Sequence, residues 1–176
     1  MALLAGKPLL LWAAQRLRRN CAAIAVNTRA GTQTEALAHS ERLAVLHDLA
    51  GDAQGPLAGV RAGLSWARSL HAGALAVSPC DAPLLPPDLY ERLIHAAGDG
   101  AAMAETADGQ QPLCSVWPVQ ALTAVGTALA DGAHPPTWSV LERLGAVHVH
   151  FEDAAAFANI NTPVDLASIA ARRPGT

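Results

Sequence analysis

The sequence predicts an α/β fold built on a mostly parallel, layered sheet, and three observations predict it. Short apolar runs recur at residues 22–26, 43–46 and 74–77, each the length of a buried strand. Segments with helical spacing separate them. Polar residues stand where the runs stop, namely Asn27, His47 with Asp48, and Asp81. Strands alternating with helices are the signature of βαβ units, and polar strand ends are where open α/β sheets gather ligands.

Taken in order, residues 8–17 form the first expected helix, with Arg16, Arg18 and Arg19 crowding its end, where cations complement the helix dipole. The strand at 22–26 follows, then a shorter helix at 34–38 and the strand at 43–46. Gly55-Pro56-Leu57-Ala58-Gly59 opens a helix through Leu70, because proline suits a first helical turn. After the strand at 74–77, Pro87-Asp88 opens a helix through Ala97.

The second half is less regular. Residues 101–105 and 114–119 read as an antiparallel strand pair with Asp108-Gly109 as its turn signal. Helices are expected near 121–130 and 139–144. The strand at 146–151 should point Val147, Val149 and Phe151 to one side and His148 and His150 to the other. Those histidines have the spacing of a metal pair, but with no third ligand in view a solvated strand face is expected. Thr162 can cap a last helix that begins at Pro163 and carries Asp165 in its first turn. With no repeat, linker or composition shift, residues 1–176 read as one domain.

Composition removes several function classes. Of 176 residues 51% are apolar and 15% charged, and the formal net charge is -3. Lys7 is the only lysine and the arginines are scattered, so neither nucleic acid nor a membrane surface is an expected partner. No apolar run reaches the ~20 residues of a bilayer span and no export signal is evident, which makes the cytoplasm the expected location. Cys21, Cys80 and Cys114 are few and far apart, as reduced thiols would be. Cys80 adjoins Asp81 but has no histidine near it in sequence to serve as a base, so a small buried residue is expected there.

The segment with the clearest chemistry is Ser78-Pro79-Cys80-Asp81-Ala82-Pro83, where one acid stands at a strand end between prolines that forbid the strand's continuation. Alone, it fits a structural turn in which Asp81 accepts backbone hydrogen bonds better than a carboxylate that holds a metal against a phosphate. Asn27 and Asp48 could read a base edge or ribose hydroxyls, or could cap a turn and lie on the surface. Gly55 and Gly59 flank a helix start that could present N–H groups to phosphate, or serve only as a helix entry.

As an ordered set these stretches resemble the molybdenum cofactor guanylyltransferases. The matching residues are Gly6-Lys7-Pro8-Leu9, Ala25-Val26-Asn27, Asp48 with 55–59, Cys80-Asp81-Ala82-Pro83 with Pro87-Asp88-Leu89, Gln111-Pro112-Leu113, and Asn159-Ile160-Asn161-Thr162-Pro163. The resemblance implies a Rossmann-like three-layer α/β/α sandwich of the GT-A nucleotidyltransferase type, mostly parallel with an antiparallel part in the second half. It implies that Asn27 and Asp48 contact guanosine, that Gly55 and Gly59 belong to the nucleotide site, and that Asp81 binds Mg2+ and GTP phosphates as the catalytic carboxylate. Asn159 and Asn161 would lie on the pterin or phosphate side. The implied reaction transfers GMP from GTP to molybdopterin with loss of pyrophosphate, and the implied partners are GTP, molybdenum cofactor and cofactor insertion or carrier proteins.

The family begins with a strand and a glycine-rich loop of the form LAGGxSxRMGxDK, and nothing here matches them. Lys7 aligns with the later GKPL stretch, so the loop lysine's role is not assigned to it. The chain is therefore expected to be a single nucleotidyltransferase domain shortened at its N-terminus, from a misassigned start or a truncation, with the missing loop encoded just upstream. Loss of a central first strand should expose neighbouring ladder edges and leave core unfilled. Two other readings are a cytidylyltransferase for the same or another acceptor, and a binding protein or impaired remnant without the triphosphate loop. A milder departure lies at 131–138, where many relatives are more basic; His134 and Trp138 could serve the pterin there, or simply pack.

Overall fold

The structure, a computed structural model, describes residues 2–49, 51 and 55–171. It begins with a hairpin that periodicity does not announce. Strands β1 (Leu3–Leu4) and β2 (Lys7–Pro8) pair antiparallel around Ala5-Gly6, whose φ angles are 50° and 76°. Positive φ at both central residues is what a two-residue hairpin turn requires, and strands this short carry no alternation to read.

Next come α1 (Leu9–Leu17), β3 (Ala25–Asn27), α2 (Gln33–Ser40), β4 (Ala44–Leu46), α3 (Pro56–Ser69), β5 (Ala74–Val77) and α4 (Leu89–Ala97). The second half holds β6 (Ala102–Thr106), β7 (Gly109–Pro118), α5 (Ala121–Ala128), α6 (Thr137–Arg143), β8 (Val147–His150) and α7 (Pro163–Ala171). The strand expected from residue 22 pairs only from Ala25, although the Ile24 carbonyl still accepts from the Ala44 N–H at 3.2 Å. Strand β7 starts well before residue 114, at the Asp108-Gly109 turn. Met103 lies opposite Ser115 but Ala104 opposite Gln111, so 112–114 bulge out of the ladder. Pro112 has no N–H to donate, which accounts for both the bulge and the late strand start read from the sequence.

Strands β3 and β4 pair parallel; β5-β7-β6-β8 form the larger sheet, with β7 antiparallel to both neighbours and β8 parallel to β6. This is the mixed α/β architecture expected. Alternate residues of the larger sheet serve two cores. Val116 and Ala104 face α4, where Leu85, Leu89, Leu93 and Phe151 are buried. Trp117 and Met103 face α3, α5 and α6, against Leu57, Leu64, Val125 and Val140. Over the smaller sheet Ala14 of α1 and Ala38 of α2 bury Val26 and Leu43. Helix α7 closes the carboxyl edge, with Ile169 against Leu4, Leu9 and Ile160.

Among the described residues β3 pairs only with β4 and β5 only with β7, so each presents an unpaired edge. Val147, expected on the same side of the strand as Val149 and Phe151, is 46% exposed. Its position at the start of β8, beside the exposed turn at Gly145, leaves nothing to cover it.

Candidate functional site

The carboxyl ends of β3, β4 and β5 open into one groove of about 1350 Å³, whose lining includes Asn27, Asp48, Gly55, Gly59 and Asp81. Asn27 and Asp48 follow parallel neighbours, so the ladder sets their side chains next to each other. The Asn27 amide donates from Nδ2 to Oδ1 of Asp48 at 2.8 Å. Gly59, in the first turns of α3, sits beneath that amide: a Cβ there would lie 2.7 Å from Asn27 Nδ2. Only a residue without a side chain allows the amide this position.

Asp81 belongs to the turn after β5. Tyr90, a buried residue of α4, donates its hydroxyl to the Val77 carbonyl at 3.0 Å and pins the strand end from which the turn departs. Burial first, and then Cys114, push its phenol well above the ordinary value, so it stays a donor. The Asp81 carbonyl accepts from the Ile160 N–H at 2.8 Å. Its carboxylate takes no hydrogen bond or ion pair among the described residues, so the turn is held by backbone and prolines rather than by the acid.

That Ile160 contact brings Asn159 and Asn161, both exposed, to either side of the Asp81 turn, though neither lines the groove. The segment is fixed by a reciprocal cap. Asp165 Oδ2 accepts from the N–H groups of Asn161 at 3.0 Å and Thr162 at 2.8 Å, while Thr162 Oγ1 accepts from the Asp165 N–H at 3.1 Å. Thr162 and these backbone bonds hold the Asp165 carboxyl below its ordinary value. The Thr162 cap was legible in the sequence; the bond joining its segment to Asp81 was not.

The groove also takes in Thr28, Arg29 and His47, to which the sequence reading assigned no role. His47 Nδ1 lies 2.7 Å from the Thr28 carbonyl and its Nε2 3.4 Å from Glu35. The signal that finds Asn27 and Asp48 also finds these residues, because they adjoin the same strand ends. Lys7 is elsewhere: its ammonium sits 4.6 Å above the Trp12 ring and donates to Gln15. His134 lines a small cavity of about 240 Å³ with Gly55, Pro56 and Ala58, while Trp138 is 46% exposed.

A divalent cation that also binds substrate phosphates needs only one or two carboxylates from the protein, keeping waters and phosphate oxygens as its other ligands. Asp81, which lines the groove and has no side-chain partner among the described residues, fits that role for Mg2+. Among the described residues no cluster of three or more His, Cys, Asp or Glu offers an all-protein metal cage. His148 is held instead by Glu142 at 2.8 Å and Glu105 at 3.5 Å.

All three cysteines are free, but Cys80 is exposed rather than buried as expected, because the turn after β5 carries it onto the groove wall. Desolvation at that wall, then the Asp81 charge, raise its thiol above the ordinary value. Cys114 is buried on the α4 face, and burial followed by Asp81 pushes it up to about 12. A raised acid pKa stabilises the fold fully below the unfolded thiol's pKa near 9 and loses that contribution as pH rises toward 12. Moving from pH 8 to pH 10.5 is expected to remove about 2 kcal/mol through this thiol. Denaturant midpoints of wild type and Cys114→Ala should converge over that interval, and parallel curves would contradict the assignment.

Similarities to known proteins follow the same outline. A family model described as a MobA-like NTP transferase domain matches residues 1–149. A molybdenum cofactor guanylyltransferase of Cereibacter sphaeroides is 39% identical over 165 residues, covering 93% of this chain and 82% of that protein. One from Cupriavidus metallidurans is 35% identical over 168 residues, covering 90% and 79%. The crystal structure of molybdopterin-guanine dinucleotide biosynthesis protein A from Archaeoglobus fulgidus superposes with a TM-score of 0.75 at 26% identity, over 97% of this chain and 88% of that one. A 4-diphosphocytidyl-2C-methyl-D-erythritol synthase from Anaerococcus prevotii shares the fold, with a TM-score of 0.77 at 13% identity. With fold and sequence in agreement, the chain belongs to the MobA-like NTP transferase family and is a nucleotidyltransferase by family.

Proposed function

We propose that this protein transfers GMP from GTP to molybdopterin, giving molybdopterin guanine dinucleotide and pyrophosphate. The observation that carries the reading is the convergence of the Asn27–Asp48 pair and Asp81, whose carboxylate has no partner among the described residues, on one groove. A carboxylate steadied by a neighbouring amide suits the two adjacent N–H donors on one edge of guanine, a pattern cytosine lacks. Gly55 and Gly59 allow the base and ribose to approach the start of α3, whose free N–H groups favour negative charge. Asp81 would hold Mg2+, which neutralises charge on the transferring and leaving phosphate oxygens. Asn159 and Asn161, beside the Asp81 turn, would position the acceptor.

The attacking group is a phosphate monoester, already anionic, so the protein has no proton to abstract from it. The work left to these residues is orientation and charge neutralisation, which supply most of the barrier reduction in such transfers. Incubation with molybdopterin, Mg2+ and either GTP or CTP tests the reading. Dinucleotide and pyrophosphate should form with GTP. Preference for CTP, or equal use of both, would overturn the guanine assignment, and turnover with neither would overturn the transferase reading for this chain.

Gly59→Ala separates site from scaffold. The new methyl would displace the Asn27 amide, which is the end of a short side chain and can swing aside, while alanine in a helix gains up to about 1 kcal/mol over glycine. Stability is therefore expected to hold or rise, whereas KM for GTP rises on the order of tenfold, as loss of a hydrogen bond to a charged group implies. Calorimetry and steady-state kinetics on the same preparation check it; unchanged KM would remove Asn27 from the site.

A further inference from the structure

The ladder between β3 and β4 does not stop where the strands do. Beyond the last paired residues, Asn27 and Leu46, the Thr28 N–H still donates to the Leu46 carbonyl at 3.0 Å. In a parallel ladder the next rung would run from the N–H of residue 48 to the Thr28 carbonyl. That rung is not made: among the described residues no backbone N–H bonds to the Thr28 carbonyl. His47 Nδ1 takes its place, 2.7 Å from the same oxygen. A carbonyl only accepts, so the ring donates from Nδ1. The Asp48 backbone is thereby released from the ladder, and its carboxylate receives the Asn27 amide.

The other side of the ring reaches α2. Nε2 lies 3.4 Å from Glu35 Oε1, while Glu35 Oε2 accepts from the Gly31 N–H at 2.6 Å. Glu35 also donates its own N–H to Thr32 Oγ1 at 3.2 Å, in the manner of a reciprocal helix cap. Thr32 Oγ1 in turn donates to the Arg29 carbonyl at 2.9 Å and lies 3.0 Å from the Thr28 hydroxyl. The turn from Thr28 to Thr32 is therefore cross-linked within itself. His47 ties it down twice, directly at Thr28 and through Glu35 at Gly31. Thr28, Arg29 and Ala30 of that turn line the same groove as Asn27 and Asp48.

We propose that His47 is a positioning residue for the nucleoside end of the site. By occupying the Thr28 carbonyl it frees Asp48 to meet Asn27, and by anchoring the 28–32 turn it fixes the groove wall beside a bound guanosine. This role rests on the guanine reading of Asn27 and Asp48. The partners of the ring are Thr28 and Glu35 rather than Asp81, so removing it should change nucleotide affinity and not the metal site.

The test follows the amide NMR shifts of residues 27–29 and 47–48 while GMP, which carries base and ribose without a triphosphate, is titrated into wild type, His47→Ala and His47→Asn. Asparagine holds an N–H donor the same number of bonds from Cα as Nδ1, so it restores the contact with Thr28 but not that with Glu35. The His47 side chain is 48% exposed, so neither change opens the core. Wild type is expected to saturate, His47→Ala to bind on the order of tenfold more weakly, and His47→Asn to stay within about threefold, as loss and recovery of a hydrogen bond imply. The Gly31 amide should exchange roughly tenfold faster in His47→Ala, because its turn has lost an anchor. Equal affinity in wild type and His47→Ala, or unchanged Gly31 exchange, would overturn the positioning role and leave the guanine reading standing. Equal loss in both variants would reduce the ring to packing and overturn the role as well. A wild type that shows no saturable shift with GMP would overturn the guanine reading and this role together.

Discussion

Asp81→Asn is expected to lower GMP transfer on the order of 10³-fold while leaving the thermal midpoint within error of wild type. The expectation for rate follows from charge. An amide has the shape of the carboxylate but neither the charge that binds a divalent cation nor the ability to offset phosphate repulsion, and removing one such electrostatic partner costs about 10²–10³ in turnover. The expectation for stability follows from geometry. The Asp81 carboxylate takes no partner among the described residues, and the bonds that hold its turn run through its own carbonyl to Ile160 and from Tyr90 to Val77. Both survive the substitution. Titrating Mg2+ against rate should show a raised requirement in Asp81→Asn, which a merely structural aspartate would not produce. Near-normal turnover, or a fall in rate matched by a fall in thermal midpoint, would remove Asp81 from its proposed role.

Three strand ends show why this site is readable from sequence. An apolar run followed by an isolated polar residue marks both the end of a buried strand and the sheet edge where ligands collect, so one pattern found Asn27, Asp48 and Asp81 together. Their mutual geometry was not readable. The Asn27–Asp48 bond, between residues 21 positions apart, depends on parallel pairing of β3 with β4. Likewise, the bond from Ile160 to Asp81 brings a terminal motif to a central turn across half the chain.

The fold was legible where periodicity is long and lost where it is short. Helix α3 announces itself through Pro56 and a run of buried positions, whereas the β1–β2 hairpin is set by backbone angles at Ala5 and Gly6 that no hydrophobic pattern encodes. The bulge at 112–114 follows from Pro112, but which partner residues the slip lands on, between Met103 and Ala104, was not readable from the sequence. Cys80 was misjudged because burial was inferred from residue type, while its place on an open turn exposes it.

Trp117→Ala is expected to destabilise the fold by about 3–5 kcal/mol, the usual cost of removing a fully buried aromatic from a core. Trp117 is 0% exposed and stands on β7, the strand that joins β5 to β6. Its ring fills the space between the sheet and three helices, among Leu64, Met103, Val125, Val140 and Leu141. Those neighbours belong to separate elements whose spacing is set by the rest of the fold, so they cannot all move inward to close the space. A polar loss adds to the cavity. Trp117 Nε1 donates to Ser115 Oγ at 2.9 Å, and that hydroxyl donates in turn to the Pro112 carbonyl at 2.7 Å. The relay ties the core to the bulge at 112–114, whose Leu113 lines the groove. Trp117→Phe keeps most of the ring but drops the donor, and should cost about 1–3 kcal/mol, as an unmet buried acceptor does. Urea titrations at constant m-value measure both. A cost below about 1 kcal/mol for Trp117→Ala would mean that the three helices can close on the sheet without the ring, contrary to the packing seen around it.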